Sequence, residues 1–202
     1  MLIPKAGASV AEGPEFAGPL TGGEASGAGW RLSDESATPK LLVYESFEAA
    51  GAVQRHLGVG FGAAATNGAG ALVCGVRPDE WLLLGERTGS LPGVTGVVTV
   101  DLTHGLALFR LSGPAAPEVL AAVCSIDTGE AMFPDGAVCG ASVARVACSL
   151  VRNDVAGERS YLMVSPRSSG RYLFESVRDA GARQPPDRAP SAPARPGTAP
   201  PN

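Results

Sequence analysis

The chain has 202 residues, 45% of them hydrophobic and 18% charged, enough apolar material for one buried core with tails. A formal net charge of −4 and a pI near 5.2 exclude a basic surface able to hold nucleic acid by its phosphates. No run reaches the roughly 18 apolar residues of a membrane span, and Glu12, Pro14 and Glu15 break any signal-peptide core, so a cytoplasmic protein without a membrane partner is expected.

Residues 1–39 are mostly Gly, Ala, Glu and Pro, with too few large apolar side chains to offset the entropy of ordering them, and are expected to form a flexible leader. The folded domain is placed at 40–183. It opens with a strand over 41–45. Phe47, Ala50, Val53 and Leu57 then recur at helical spacing behind Ser46 as cap, with Gly58 as stop. Gly58, Gly60 and Gly62 follow a helix and lack the Gly-x-Gly-x-x-Gly spacing of a dinucleotide site, so they are read as a flexible link. Strands over 71–76 and 81–84 flank Arg77-Pro78-Asp79-Glu80, a type I turn with proline at its second position. Residues 86–96 hold three glycines and a proline where a second helix of this half would stand.

Next comes Val100-Asp101-Leu102-Thr103-His104-Gly105, running on to Leu111. Apolar residues alternate on both sides of Gly105, which predicts one long strand over 98–111 bent at that glycine. Ser112-Gly113-Pro114 leads to a helix over 116–124 opened by Pro117, with Ser112 as its cap. A strand over 142–152, a tight turn at 153–157, a strand over 159–165 and a helix over 168–180 follow. That helix puts Tyr172, Leu173, Val177 and Ala180 on one face and has Gly181 to end it. Residues 184–202, dominated by Pro and Ala, are expected to be a disordered tail.

The second half reads β-α-β-β-α and the first is a weaker copy. The expected class is α+β: two ferredoxin-like split β-α-β-β(-α) halves, the second helix of the first half missing. A sheet face left bare by that missing helix would need a partner subunit to cover it.

Chemistry is sparse. Cys74, Cys124, Cys139 and Cys148 form no Cys-x-x-Cys pair, and with only His56 and His104 as imidazoles no metal site is expected. Asp101 and His104 suggest an acid-base pair, but residues three apart on a strand face opposite ways, so His104 is read as structural, its ring bonded to backbone near the bend. Ser112 lacks the Gly-x-Ser-x-Gly elbow. Trp81, beside three leucines, is expected to fill the core or a seam with a neighbouring chain. Arg145, Arg152, Arg159, Arg167 and Arg171 are read as solvated, paired, or facing an acidic partner. No catalytic, cofactor-binding or metal residue is assigned. Trp81, Asp101, His104, Phe109 and Ser112 stand as fold-marker or interface candidates.

Arg77-Pro78-Asp79-Glu80-Trp81-Leu82-Leu83-Leu84, Asp101-Leu102-Thr103-His104, Phe109-Arg110-Leu111-Ser112-Gly113-Pro114 and the Phe133-Pro134-Asp135-Gly136 turn together resemble the gamma subunit family of heterotetrameric sarcosine oxidase, relatives of the folate-binding aminomethyltransferase (T-protein) fold. The resemblance covers nearly all of 40–183. It implies an aminomethyltransferase-like domain without reacting groups, assembled with alpha, beta and delta subunits. The complex would convert sarcosine to glycine with H2O2 and 5,10-methylenetetrahydrofolate. FAD, FMN, NAD and tetrahydrofolate would reside on the partner subunits. The alternatives are a stand-alone folate-binding one-carbon protein of this fold, disfavoured by length and by the absence of a Lys-Gly-Cys motif, and a ferredoxin-like ligand-binding module.

Overall fold

The computed structural model describes residues 18, 20, 23–49, 51–85 and 94–184. The expected tail from 185 onward and most of the link over 86–96 lie outside the described residues. The first strands are β1 (Glu24–Gly27), β2 (Trp30–Asp34) and β3 (Lys40–Glu45). Then come α1 (Ala52–Leu57), β4 (Ala64–Thr66), β5 (Leu72–Arg77), β6 (Glu80–Leu84), β7 (Val97–Asp101) and β8 (Leu106–Ser112). The chain continues with α2 (Ala116–Ala121), β9 (Val138–Val143), β10 (Val146–Arg152), β11 (Ser160–Pro166) and α3 (Gly170–Ala182).

The strands make two antiparallel sheets, ordered β4-β5-β6-β3-β7 and β1-β2-β8-β11-β10-β9. Taking β3, β5, β6 and β7 as strands one to four, the first sheet has the 4-1-3-2 order of a ferredoxin-like half. In the second sheet β8, β10 and β11 take places one to three, and the fourth is filled from the other end of the chain, by β2. The sheets face each other through Cys74, Leu82 and Leu84 on one side and Leu108, Val151, Leu162 and Val164 on the other. Helices α2 and α3 cover the outer face of the six-stranded sheet, where Phe109 meets Phe174 edge-on at 5.4 Å. Helix α1 covers the other outer face, with Val53 against Leu41, Val43 and Trp81. Among the described residues no helix is long and apolar enough to cross a membrane.

Several expectations are corrected. Residues 24–34 of the expected leader form the β1–β2 hairpin, because Trp30 and Leu32 alternate with polar neighbours and both are buried. A Cβ on Gly181 would lie 2.5 Å from the Trp30 ring, so Gly181 makes room for the indole inside α3 and does not end the helix. Tyr172 is exposed, and the buried face of α3 uses Phe174 in its place.

The strand expected over 98–111 is two strands in different sheets. Residues 102–105 form a turn, with Gly105 and Leu106 N–H donating to the Leu102 carbonyl, and the chain crosses from β7 to β8. The strand expected over 142–152 is likewise split, by a tight turn at Ala144 and Arg145 with φ of 47° and 68°. Ser112 ends β8 and caps nothing: α2 has Ala115 at its N-cap and no side-chain cap bond. The expected helix behind Ser46 begins only at Ala52, since Phe47 is 97% exposed and Glu45 Oε1 accepts the Ala52 and Val53 N–H groups at 2.6 and 3.2 Å. The glycine link after α1 is ordered over β5: a Cβ on Gly75 would sit 2.1 Å from the Gly60 carbonyl oxygen. Between β6 and β7 no helix occurs among the described residues.

Candidate functional site

At one end of the two-sheet stack the facing strands part and leave an open groove of about 610 Å³. Its apolar walls include Leu42, Leu82 and Leu102 from the five-stranded side, and Leu106 and Val164 from the other. Opposite these, β9 and β10 present Gly140, Ser142, Ala147 and Ser149. Their small side chains are what keep the groove open.

Three ionised residues line it. Arg77 Nη1 donates to both Glu80 oxygens, at 2.8 and 3.0 Å, across the β5–β6 hairpin. Arg145 stands at the exposed tip of the β9–β10 turn and pairs with no acid among the described residues. Positive φ at both central residues is a conformation Asn and Gly adopt easily and Ala and Arg do not, so the turn carries local strain where Arg145 is presented.

The groove face extends beyond the groove. Opposed residues of antiparallel strands share a face. Glu80, Tyr44 and Val98 form one such row across β6, β3 and β7, and Leu82, Leu42 and Val100 form the next. The inner members line the groove, whereas Tyr44, Val98 and Val100 are 40%, 54% and 43% exposed at the sheet edge.

Behind the groove, Lys40 is fully buried at the start of β3. Its Nζ donates to the carbonyls of Ser36 and Thr38 at 2.7 and 2.8 Å. Burial lowers its pKa to about 8, against the opposing pull of Asp34 and Asp101.

The residues singled out from sequence do not converge. Trp81 is fully buried under α1's end of the sheet, its Nε1 donating to the Val59 carbonyl at 2.8 Å. Asp101 ends β7, where its Oδ1 accepts the Thr103 N–H at 2.8 Å, and Thr103 Oγ1 in turn accepts the Lys40 N–H at 3.0 Å. His104 is exposed in the same turn, its carbonyl accepting from Arg167. Phe109 lies under α3, on the opposite face of the six-stranded sheet from the groove, and Ser112 sits half-buried at the far end of β8. The Asp101–Gly105 motif is thus the joint where the chain changes sheets.

All four cysteines are free, and burial pushes Cys74 and Cys148 up to about 12. No cluster of ligating side chains that could hold a metal ion occurs among the described residues.

Sequence reasoning missed the Ala144-Arg145 turn and the exposed edge strand β7. Ala-Arg carries no turn signal, and the alternation in Val97-Val98-Thr99-Val100 shows a strand without showing its neighbours.

The fold and the open two-sheet groove define an aminomethyltransferase-like domain. The family model for the GCVT N-terminal domain matches residues 79–186, and the chain belongs to that family. Among solved structures, a chain of the heterotetrameric sarcosine oxidase from Corynebacterium sp. U-96 is similar with a TM-score of 0.65 and 24% identity. That match covers 79% of this chain and 88% of that one. The glycine cleavage system aminomethyltransferase T from Bartonella henselae is similar with a TM-score of 0.53 and 16% identity, over 74% of this chain but only 45% of that one. No curated protein matches the chain significantly.

Proposed function

We propose that the chain is the gamma subunit of a heterotetrameric sarcosine oxidase, a cytoplasmic component that stabilises the assembly and leaves the chemistry to alpha, beta and delta subunits. In this reading the complex demethylates sarcosine oxidatively to glycine, releasing H2O2 and 5,10-methylenetetrahydrofolate, and FAD, FMN, NAD and tetrahydrofolate are held by the partners. One observation carries the reading: the fold runs nearly end to end along a sarcosine oxidase chain, but along under half of an aminomethyltransferase.

The alternative, a stand-alone folate-binding one-carbon protein, draws on the family and on the groove. Against it stands the openness of the groove, since small ligands are held in sites that enclose most of their surface, and the one carboxylate lining it, Glu80, is already paired with Arg77.

Co-expression with the chains encoded by neighbouring genes tests the proposal. The expected result is a complex in which this chain co-purifies with flavin-containing subunits, while alone it is colourless and inactive on sarcosine. Turnover by the isolated chain, or tetrahydrofolate binding to it with a micromolar Kd, would replace the proposal with the alternative.

A further inference from the structure

We propose that the outer edge of β7, with the apolar face it shares with β3, seats an extended segment of a different protein chain, one carrying alternating apolar side chains and a carboxylate. The inference rests on the assembly reading above and assigns its contact surface.

Four of the five residues of β7, Val97, Val98, Thr99 and Val100, are β-branched, the strongest strand formers. Yet among the described residues β7 is an edge strand, hydrogen-bonded only to β3, with an in-register ladder and no bulge. Four of its five residues are exposed. Natural edges are guarded by lysine, proline, bulges or weak strand formers, because unpaired N–H and C=O groups recruit other strands. An edge strand of the other sheet, β1, obeys that rule with Glu24-Ala25-Ser26-Gly27. β7 carries none of these guards, and its outward valines extend an apolar face instead of ending it.

The occupant follows from geometry and charge. A strand laid along β7 would lengthen the Glu80–Tyr44–Val98 and Leu82–Leu42–Val100 rows by one residue each, and its alternate side chains would point to the groove side. A second copy fits poorly. Two β7 strands paired antiparallel about Thr99 would set Val97 against Asp101. The joined sheets would also continue in their own plane and leave both grooves open, with a contact of five residues a side, well short of the roughly 800 Å² per partner of stable interfaces. A longer segment from another chain can pair with β7 and then enter the groove. There the ionised residues are Arg77, Arg145 and Glu80, an excess of one positive charge on a chain of net charge −4, and Arg145 is available to a carboxylate.

Hydrogen exchange tests this on the full chain, alone and within the native assembly isolated through a tag on another subunit. Exchange of the outward-facing β7 amides is expected to slow by about tenfold or more in the assembly, while β1 is unchanged. Val100→Lys and Arg145→Glu, each checked for an unaltered melting curve, are expected to weaken retention by the tagged complex about tenfold, and Val155→Lys, remote and exposed, to leave it unaltered.

Three results would overturn the inference: equal protection of β7 in the isolated monomer, which makes a segment of this chain the occupant; self-association abolished by Val100→Lys, which makes it a second copy; or an assembly that forms with β7 still exchanging freely, which leaves the assembly reading intact. Failure to join flavin-containing chains at all removes the assembly reading and this inference together.

Discussion

The six-stranded sheet is clad on its outer face by α2 and the 13-residue α3, and its outer edge is a short hairpin strand free of β-branched residues. Among the described residues the five-stranded sheet has one six-residue helix, α1, and ends in an unpaired valine strand. Both have the same ferredoxin-like strand order, so topology does not account for the difference. The second half is complete because β2 returns to close it. Stability and exposure are thereby divided: one half carries most of the self-sufficient core, and the other keeps a face and an edge open.

The strongest way to break the comparison is to remove the brace of the complete half. Trp30→Ala strips the side chain that joins the hairpin to Gly181 of α3 and should cost about 3–5 kcal/mol, read from the urea midpoint. A change below about 1 kcal/mol would mean that β2 is dispensable, as the composition of the leader suggests.

Lys40, at the junction between the halves, gives the next effect. Its folded pKa is lowered from 10.5 to about 8, so between these values the unfolded chain binds more protons and stability rises with pH. The penalty is fully present below pH 8. Relief amounts to about 3 kcal/mol at most by the upper limit, and is read as a urea midpoint that climbs from pH 8 to pH 10. Lys40→Met should lower stability, since the carbonyls of Ser36 and Thr38 lose their donor, and should flatten that climb.

Smaller still, Val98→Thr and Val100→Thr should each change the stability of the isolated chain by no more than about 0.5 kcal/mol, as exposed positions do. A loss above about 2 kcal/mol would place the edge already under cover. Least of all should be the response to alkylation: at pH 8 the native chain should leave Cys74 and Cys148 unmodified by iodoacetamide, with Cys139, only half-buried, reacting first.

Much of the order of elements was legible. The short apolar runs Trp81–Leu84 and Leu106–Phe109, each bounded by turn residues, mark strands because a strand buried on both faces reads as a continuous apolar run. Pro117 beside Glu118, and Gly58 at φ 70°, mark helix ends for backbone reasons that are equally local. The failures share a cause. Apolar residues recur at every second position on both sides of Gly105 although the sheet changes at residues 102–105, since both sheets impose the same period. Gly113 reads as a turn residue, but its necessity comes from the hairpin turn some eighty residues earlier: a Cβ there would lie 2.3 Å from the Gly29 carbonyl oxygen. The candidate site was least visible, because Leu42, Glu80, Val164 and Arg145 come together only across strands.

Taken alone, the sequence determined the class of fold, its two related halves, and most of the strand and helix types, all of which depend on local periodicity and residue chemistry. Tertiary structure alone decided that Trp30 and Leu32 supply the closing strand of the second sheet, that the chain switches sheets after Asp101, and that β7 stands last in its sheet among the described strands. Pairing between strands far apart in the chain is set by the summed burial of whole faces, and no short window of residues contains that sum.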